Sequence, residues 1–195
     1  TFSDIELGWL VGNTISSGRK AVAHAASPEG MKRAINAGVA TIEHGDNGTP
    51  EVFKLMKEKN VALCPTLAAG DAIEQYRGWK KGTDPEPERI SNKKKSFQQA
   101  LDAGVTICMG GDVGVYTHGD NAREMELMVE YGMKPLEVLK SSTSVNADVF
   151  GYAGKIGRIK KGLFADIIAV EGDPSADIKN IRKLKLVMKN GVIYK

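Results

Sequence analysis

Short apolar runs and amphipathic segments alternate along the first third of the chain. The apolar runs cover residues 20–24, 39–44 and 61–66, and they recur at intervals of roughly 20 residues, each with the length of a strand. The first two runs are followed by helix starts in which a capping residue precedes Pro and Glu, namely Ser27-Pro28-Glu29 and Thr49-Pro50-Glu51. This order predicts βα units, which build a parallel sheet or barrel.

The alternation is interrupted after residue 66. Residues 68–92 are polar and contain Asp84-Pro85-Glu86-Pro87, which predicts a long loop with some helix. We then expect a helix at 93–103 and a fourth strand at 105–112. Further helices are predicted at 3–17, 121–131, 135–141 and 144–150.

The pattern changes again from residue 154. Short strand-like runs occur at 156–159, 165–170, 183–189 and 192–194. Asn190-Gly191 separates the last two runs and is a strong signal for a tight hairpin. We therefore expect two parts, an α/β module at 1–153 and a small β appendage at 154–195.

Composition places the chain among ordinary globular proteins. It has 195 residues, of which 42% are hydrophobic and 26% charged, with two cysteines. These values exclude a collagen-like, disordered or disulfide-scaffold protein. No run of 18 apolar residues occurs and no secretory leader is visible, so we expect a cytoplasmic protein without a membrane span. Cys64 and Cys108 lie in apolar runs and are expected to be buried thiols.

The net charge of +3 is unevenly distributed. Residues 155–195 hold ten Lys and Arg against four Asp and Glu, whereas the rest of the chain is mildly acidic. The basic residues alternate with apolar ones at 184–189, as on the solvent-facing side of a sheet. No aromatic platform or nucleic-acid motif accompanies them, so we expect no nucleic-acid partner.

Three residues with metal-binding side chains end predicted strands. His24, His44 and Asp112 each lie where the chain turns toward the next helix. In βα barrels that rim carries the active site. Imidazole and carboxylate groups suit zinc, manganese or iron, but a histidine at a strand end is more often simply hydrogen-bonded. The spacing alone leaves both interpretations open.

The loop after Asp112 is a candidate substrate-binding segment. It carries Tyr116 and His118 and leaves the same predicted rim. The alternative is a surface loop whose glycines form turns. In that case Asn121 would cap the following helix, with Glu124 completing a capping box.

Several segments together resemble one known group of enzymes. These are VAHAASPEGM (22–31), GVATIEHG (38–45), GDVG (111–114), HGDNARE (118–124) and, in the tail, GKIG (154–157), KGLFAD (161–166) and Asp173-Pro174. They are similar to the metal-dependent amidohydrolase superfamily, in its imidazolonepropionase-like and Xaa-Pro dipeptidase (prolidase) branch. The resemblance covers essentially the whole chain.

The resemblance implies a fold and a metal centre. The fold would be the C-terminal half of a (β/α)8 TIM-like barrel, strands 5–8, followed by strands of a small β-sandwich. The metal would be one or two divalent ions, usually Zn²⁺. His24 and His44 would be the ligands of strands 5 and 6. Asp112 would be the strand 8 ligand and would move the proton from water to the leaving amine.

The resemblance also implies an activity. The enzyme would hydrolyse a C–N bond in a small molecule, a dipeptide or an N-acyl amino acid, and Tyr116 and His118 would face that substrate. We expect a homo-oligomer. The family's His-x-His pair is absent, and Ala26 stands where many relatives have a second histidine. The family's strand 4 lysine would lie upstream of Thr1.

Length raises an alternative. A complete barrel of this type takes about 250 residues, more than the α/β module at 1–153 provides. The alternative is a non-catalytic half-barrel that needs another chain or a missing N-terminal half. A barrel enzyme of phosphate or Schiff-base chemistry is a weaker hypothesis, because the chain offers no phosphate-binding loop.

Overall fold

The first sheet is parallel and follows the predicted order of strand and helix. The computed structural model describes residues 2–195. Its first elements are α1 Asp4–Ser16, β1 Val22–Ala25, α2 Pro28–Ala37, β2 Thr41–His44, α3 Pro50–Lys59 and β3 Ala62–Cys64. The three strands are neighbours in chain order, and Ala23, Ile42 and Leu63 lie side by side across them. The helices cover the face of the sheet on which Ile42 is completely buried.

The helix boundaries follow from local chemistry. The Ser27 hydroxyl accepts the N–H of Gly30 at 3.2 Å, and Thr49 performs the same role for α3. At the other ends the backbone turns left-handed, at Gly38 with φ 95° and at Asn60 with φ 54°. Pro at the first helical turn and Gly or Asn at the end are the residues these positions favour.

The predicted fourth strand at 105–112 is much shorter than expected. Only an isolated parallel bridge forms, between Leu63 and Ile107. Two residues later, the amide of Asn146 binds both main-chain groups of Met109. Its Oδ1 accepts the N–H at 3.1 Å and its Nδ2 donates to the carbonyl at 2.8 Å. A side chain 37 residues away therefore satisfies the main-chain groups of Met109, which would otherwise need a neighbouring strand.

The predicted loop at 68–92 is mostly helical, so that expectation is wrong. α4 spans Leu67–Tyr76 and α5 spans Glu88–Asp102, with only 77–87 between them in irregular structure. The charged residues of α4 suggested a solvent-exposed segment, but both of its carboxylates are buried and paired with arginines. Asp71 is buried and binds Arg123, and Glu74 binds Arg77 at 2.9 Å.

The remaining helices close the core and lead into a second sheet. α6 spans Ala122–Glu130, α7 Pro135–Lys140 and α8 Asn146–Val149, with one π-helical turn at Ser141–Val145 before α8. Phe53, Phe97 and Met128 are among the largest fully buried side chains. Of the helices formed by residues 2–195, none has the length and apolar character needed to cross a membrane.

The second sheet is antiparallel and is formed by the C-terminal residues. It contains β4 Ile167–Val170, β5 Leu184–Lys189 and β6 Val192–Ile193. Asn190 and Gly191 have φ 49° and 80°, the left-handed geometry of the predicted tight hairpin. The run at 156–159 is not a strand, contrary to expectation. Arg182 joins this part to the α/β module through Asp120, at 2.6 Å, and Glu126.

Candidate active site

Two histidines meet at the carboxyl edge of the parallel sheet. His24 lies in β1 beside Glu43, and His44 ends the neighbouring strand β2 beside Ala25. Their ring centroids are 4.3 Å apart, with an angle of 67° between the rings. Adjacent parallel strands end at the same edge, which is why two side chains 20 residues apart in sequence come into contact.

The backbone at His44 is held in an unusual conformation. Its φ of 72° is left-handed, and its carbonyl accepts a hydrogen bond from the buried Lys93 ammonium at 2.5 Å. The next carbonyl, that of Gly45, accepts the Ser96 hydroxyl at 2.8 Å. This geometry is uncommon for residues other than glycine, and surrounding contacts can stabilise it. Helix α5 therefore fixes the turn that follows β2.

The imidazole of His44 is also oriented. Its Nδ1 lies 2.6 Å from the hydroxyl oxygen of Thr66. When the Nδ1 proton is donated to that oxygen, Nε2 carries the lone pair that can bind a metal. Burial lowers the pKa of His44, with His24 and Lys93 acting in the same direction and Asp46 and Asp112 opposing them. The neutral imidazole is the form that binds metal ions.

Lys93 contacts the turn at His44, and its position there was not among the sequence predictions. Its side chain is only 6% exposed, and its ammonium also binds the Asp46 carboxylate at 2.5 Å. Burial lowers its pKa, and the charge and hydrogen bond of Asp46 oppose that effect. A signal existed in the helical period, because Lys93 lies on the same face of α5 as the buried Ile90, Phe97 and Ala100.

Asp112 lies at the exit of the short fourth strand. It is exposed, and its φ of 57° is again left-handed. The two glycines before it allow close packing of the chain. A Cβ at Gly110 would lie 2.6 Å from the Cys64 sulfur, and one at Gly111 would lie 2.1 Å from the Tyr116 hydroxyl. The approach of Asp112 to the rim therefore depends on both glycines.

The two candidate substrate-binding residues lie in different surroundings. Tyr116 is 4% exposed and belongs to the hydrophobic core, with Arg123 stacked over its ring at 5.5 Å. Burial raises the pKa of Tyr116 to about 12, so its hydroxyl stays protonated at neutral pH. His118 is exposed on the loop. The structure does not bring these two side chains into one cluster with the histidine pair.

The side chain of Glu124 does not form the capping box that the sequence offered as an alternative. Asn121 makes no side-chain cap hydrogen bond, so that box does not form. The Glu124 carboxylate instead accepts the N–H groups of Leu67 and Ala68, at 3.0 and 2.7 Å. It is completely buried, and burial raises its pKa to about 7 although these two bonds act in the opposite direction.

The donor set fits a metal ion only in part. His24 and His44 offer two imidazoles at one edge of the sheet, and Thr66 occupies Nδ1 of His44, which directs Nε2 to the ion. Asp112 lies at the exit of the fourth strand, which is separated from β2 by β3. Within residues 2–195, however, no three His, Cys, Asp or Glu side chains stand close enough to hold an ion by themselves. The histidine pair can therefore supply part of a metal centre.

Parallel βα units with polar side chains at their carboxyl edge are the arrangement found in βα-barrel proteins. A family model described as "Amidohydrolase family" matches residues 1–194. The chain belongs to the amidohydrolase family.

Solved structures and a fungal enzyme show the same likeness. The crystal structure of a Xaa-Pro dipeptidase with bound methionine matches with a TM-score of 0.90 and 34% identity, over 100% of this chain and 49% of that one. Ochratoxinase from Aspergillus niger is 33% identical over 203 residues, which is 100% of this chain and 42% of its own length. Its crystal structure matches with a TM-score of 0.86. The chain thus spans about half the length of these relatives.

Proposed function

We propose that this chain supplies the C-terminal half of a metal-dependent hydrolase that cleaves an amide or peptide C–N bond. The observation that carries the proposal is the contact between His24 and His44 at the rim, with His44 held through Thr66 and Lys93. His24, His44 and Asp112 would hold the metal, for which Zn²⁺ is the first candidate. Residues 1–153 would form the catalytic part and 154–195 the appendage.

The chain's own residues have separate tasks in this reaction. A divalent ion held by His24, His44 and Asp112 would supply polarisation of the substrate carbonyl and a lower pKa for water. In hydrolysis of the C–N bond, the Asp112 carboxylate accepts a proton from the attacking water and delivers it to the departing amine nitrogen. The proposal is supported by the position of Asp112, which follows Gly110 and Gly111 and is exposed to solvent. His44 stays neutral because burial disfavours its charged form.

The proposed substrate is a dipeptide or an N-acyl amino acid. Support comes from the relatives, which include a Xaa-Pro dipeptidase and an ochratoxinase. His118 on the exposed loop is the more accessible candidate for substrate contact. Tyr116 would act from beneath the loop, since its side chain is buried.

A second function is a non-catalytic half-barrel that becomes active only with further chain. Two observations favour it: residues 2–195 lack a complete metal-binding cluster, and the chain covers about half of its relatives. Zinc analysis separates the two functions. Stoichiometric Zn²⁺ that stays on the chain through dialysis supports a metal centre in this half, and its loss supports the assembly function.

The proton-transfer role is tested by Asp112→Asn in the full-length protein. Loss of a general acid–base group costs about 10²–10⁴-fold in rate, so we expect turnover of a dipeptide to fall by that factor. The control is Asp102→Asn, an exposed carboxylate at the end of α5, which should leave turnover unchanged. Turnover near the wild-type level in the Asp112 variant, with metal content preserved, would refute the role.

A further inference from the structure

We infer that Glu124 is a positioning residue that fixes the imidazole of His44 through the first turn of α4 and Thr66. The inference rests on the proposed function insofar as His44 is taken to bind a metal. Glu124 lies in α6, 80 positions from His44 in sequence. The two residues are connected through the start of α4, which Glu124 contacts at Leu67 and Ala68 and from which Thr66 contacts His44.

The first step is the unusual start of α4. The helices α1, α2 and α3 begin with Ser3, Ser27 and Thr49, and in each case the hydroxyl accepts a backbone N–H of its own helix. Thr66 stands in the same position before α4 but makes no such bond, and its backbone is left-handed with φ 50° and ψ 48°. Its hydroxyl lies instead 2.6 Å from Nδ1 of His44.

The second step is that Glu124 takes over the capping task. The first N–H groups of a helix have no partner within the helix. At α4 the N–H groups of Leu67 and Ala68 donate to the two carboxylate oxygens of Glu124. Leu67, Ala68 and Glu124 are all essentially inaccessible to solvent, so water cannot replace this acceptor. A carboxylate from α6 thus accepts the first two N–H groups of α4, whereas the hydroxyls of Ser3, Ser27 and Thr49 accept the third N–H of their own helices.

The third step is the consequence for His44. A buried N–H without an acceptor is costly, and the hydroxyl at a cap position is the usual local acceptor. Without the Glu124 carboxylate, the Thr66 hydroxyl would be drawn to the helix start. Nδ1 of His44 would then lose the partner that keeps its proton there, and Nε2 would no longer be reserved for the metal.

The test compares Glu124→Gln, Thr66→Val and the double variant in the full-length protein, with Zn²⁺ as the probe. Competition with a chromophoric chelator gives the dissociation constant for Zn²⁺. Loss of a partner that orients a ligand weakens metal binding by about 10–100-fold, and we expect that loss in each single variant. If Glu124 acts through Thr66, the double variant is no weaker than Thr66→Val alone, whereas independent effects would multiply.

The matched control is Thr49→Ala, which removes the hydroxyl cap of α3. It should lower the melting temperature without changing the Zn²⁺ dissociation constant. A Glu124→Gln protein with a lower melting temperature and an unchanged Zn²⁺ dissociation constant would behave like this control and would overturn the inference. Multiplying effects in the double variant would overturn it as well.

A metal-free measurement separates this inference from the proposed function. With ¹⁵N-labelled histidine, the tautomer of His44 is read in the apo protein. We expect the Nδ1–H form in the wild type and a shift toward Nε2–H in Glu124→Gln. An unchanged tautomer refutes the positioning role even if Zn²⁺ binds. Absence of Zn²⁺ binding with a shifted tautomer refutes the metal site and supports the positioning role.

A second substitution covers a failure of the first to fold. Glu124→Asp keeps the charge but is one methylene shorter, so it cannot reach both N–H groups as Glu does. The same shift of the His44 tautomer is expected, to a smaller extent. A wild-type tautomer in a folded Glu124→Asp protein that has lost the two hydrogen bonds would overturn the inference.

Discussion

Replacing Lys93 by Met removes the cation that fixes the turn after β2 while keeping most of the apolar stem. The ammonium binds two groups, the His44 carbonyl and the Asp46 carboxylate, both at 2.5 Å. Breaking a buried ion pair costs about 3–5 kcal/mol. Asp46 is 24% exposed and has Arg89 at 3.7 Å, so the lower part of that range applies. With the lost bond to the carbonyl, we expect a destabilisation of about 3 kcal/mol.

The assay is urea denaturation of the full-length protein. With a slope of about 2 kcal/mol per M, the midpoint should fall by about 1.5 M. Lys95→Met is the control, because Lys95 is exposed on the same helix, and its effect should stay within about 0.5 kcal/mol. The double variant Lys93→Met/Asp46→Asn should recover part of the loss, since no buried carboxylate is left unpaired.

Two results would refute this reasoning. A midpoint in Lys93→Met close to that of Lys95→Met would show that the ion pair does not hold the turn. A double variant no more stable than Lys93→Met would show that the cost does not arise from the unpaired Asp46 carboxylate. The Zn²⁺ affinity of Lys93→Met should also fall, because the backbone of His44 is no longer tied to α5.

Two further predictions concern packing. Burial raises the pKa of Cys108 to about 12 and that of Cys64 still further above its usual range, so the thiolate fraction at pH 8 is about 10⁻⁴ or less. Neither thiol should react with Ellman's reagent in the native protein, and both should react in guanidinium; rapid native labelling would contradict the structure. In Gly48→Ala, the new Cβ would lie 2.2 Å from the fully buried Phe53 ring, and overpacking of this kind costs about 1–3 kcal/mol. Gly70→Ala, in an open position of α4, should instead be neutral or stabilising by up to about 1 kcal/mol; equal melting temperatures for the two variants would show that the clash is relieved.

The alternation of strand and helix could be predicted because its signals are local. Ser27 and Thr49 cap helices within three residues of themselves, and Gly38 and Asn60 end them. Asn190-Gly191 forms a hairpin by its own backbone preference. Each of these features depends on residues that are neighbours in sequence, so pattern and propensity are sufficient.

The errors arise where distant side chains decide the local structure. The segment of α4 was predicted to be loop because its charged residues suggested exposure to solvent. In the structure Asp71 is buried and binds Arg123, which lies 52 positions away in sequence. The fourth strand pairs with β3 only at Ile107, and the main chain of Met109 is bound by the side chain of Asn146, 37 positions away. Such pairings carry no sequence signal at either residue, and a propensity argument cannot find them.

The candidate site divides in the same way. His24 and His44 could be predicted to meet, because strand ends in a parallel sheet share one edge. Thr66 contacts the imidazole of His44, 22 positions away. Glu124 contacts the start of α4, 56 and 57 positions away. A capping box at the start of its own helix was one of two alternatives for Glu124, and the structure shows that it caps α4 instead. The strand-end histidines follow a pattern along the chain, and so does Lys93 on the buried face of α5, whereas Thr66 and Glu124 do not.

The bond between Asn146 and Met109 sets a limit on barrel closure. The Thr106 carbonyl and the Cys108 N–H face β3, so the main-chain groups of Ile107 and Met109 face the opposite edge. Those of Met109 are already satisfied by Asn146. A strand added at that edge can therefore pair at Ile107 but not beyond it. Next to Asp112, the edge of the fourth strand is therefore closed to further main-chain pairing by a side chain of the same chain.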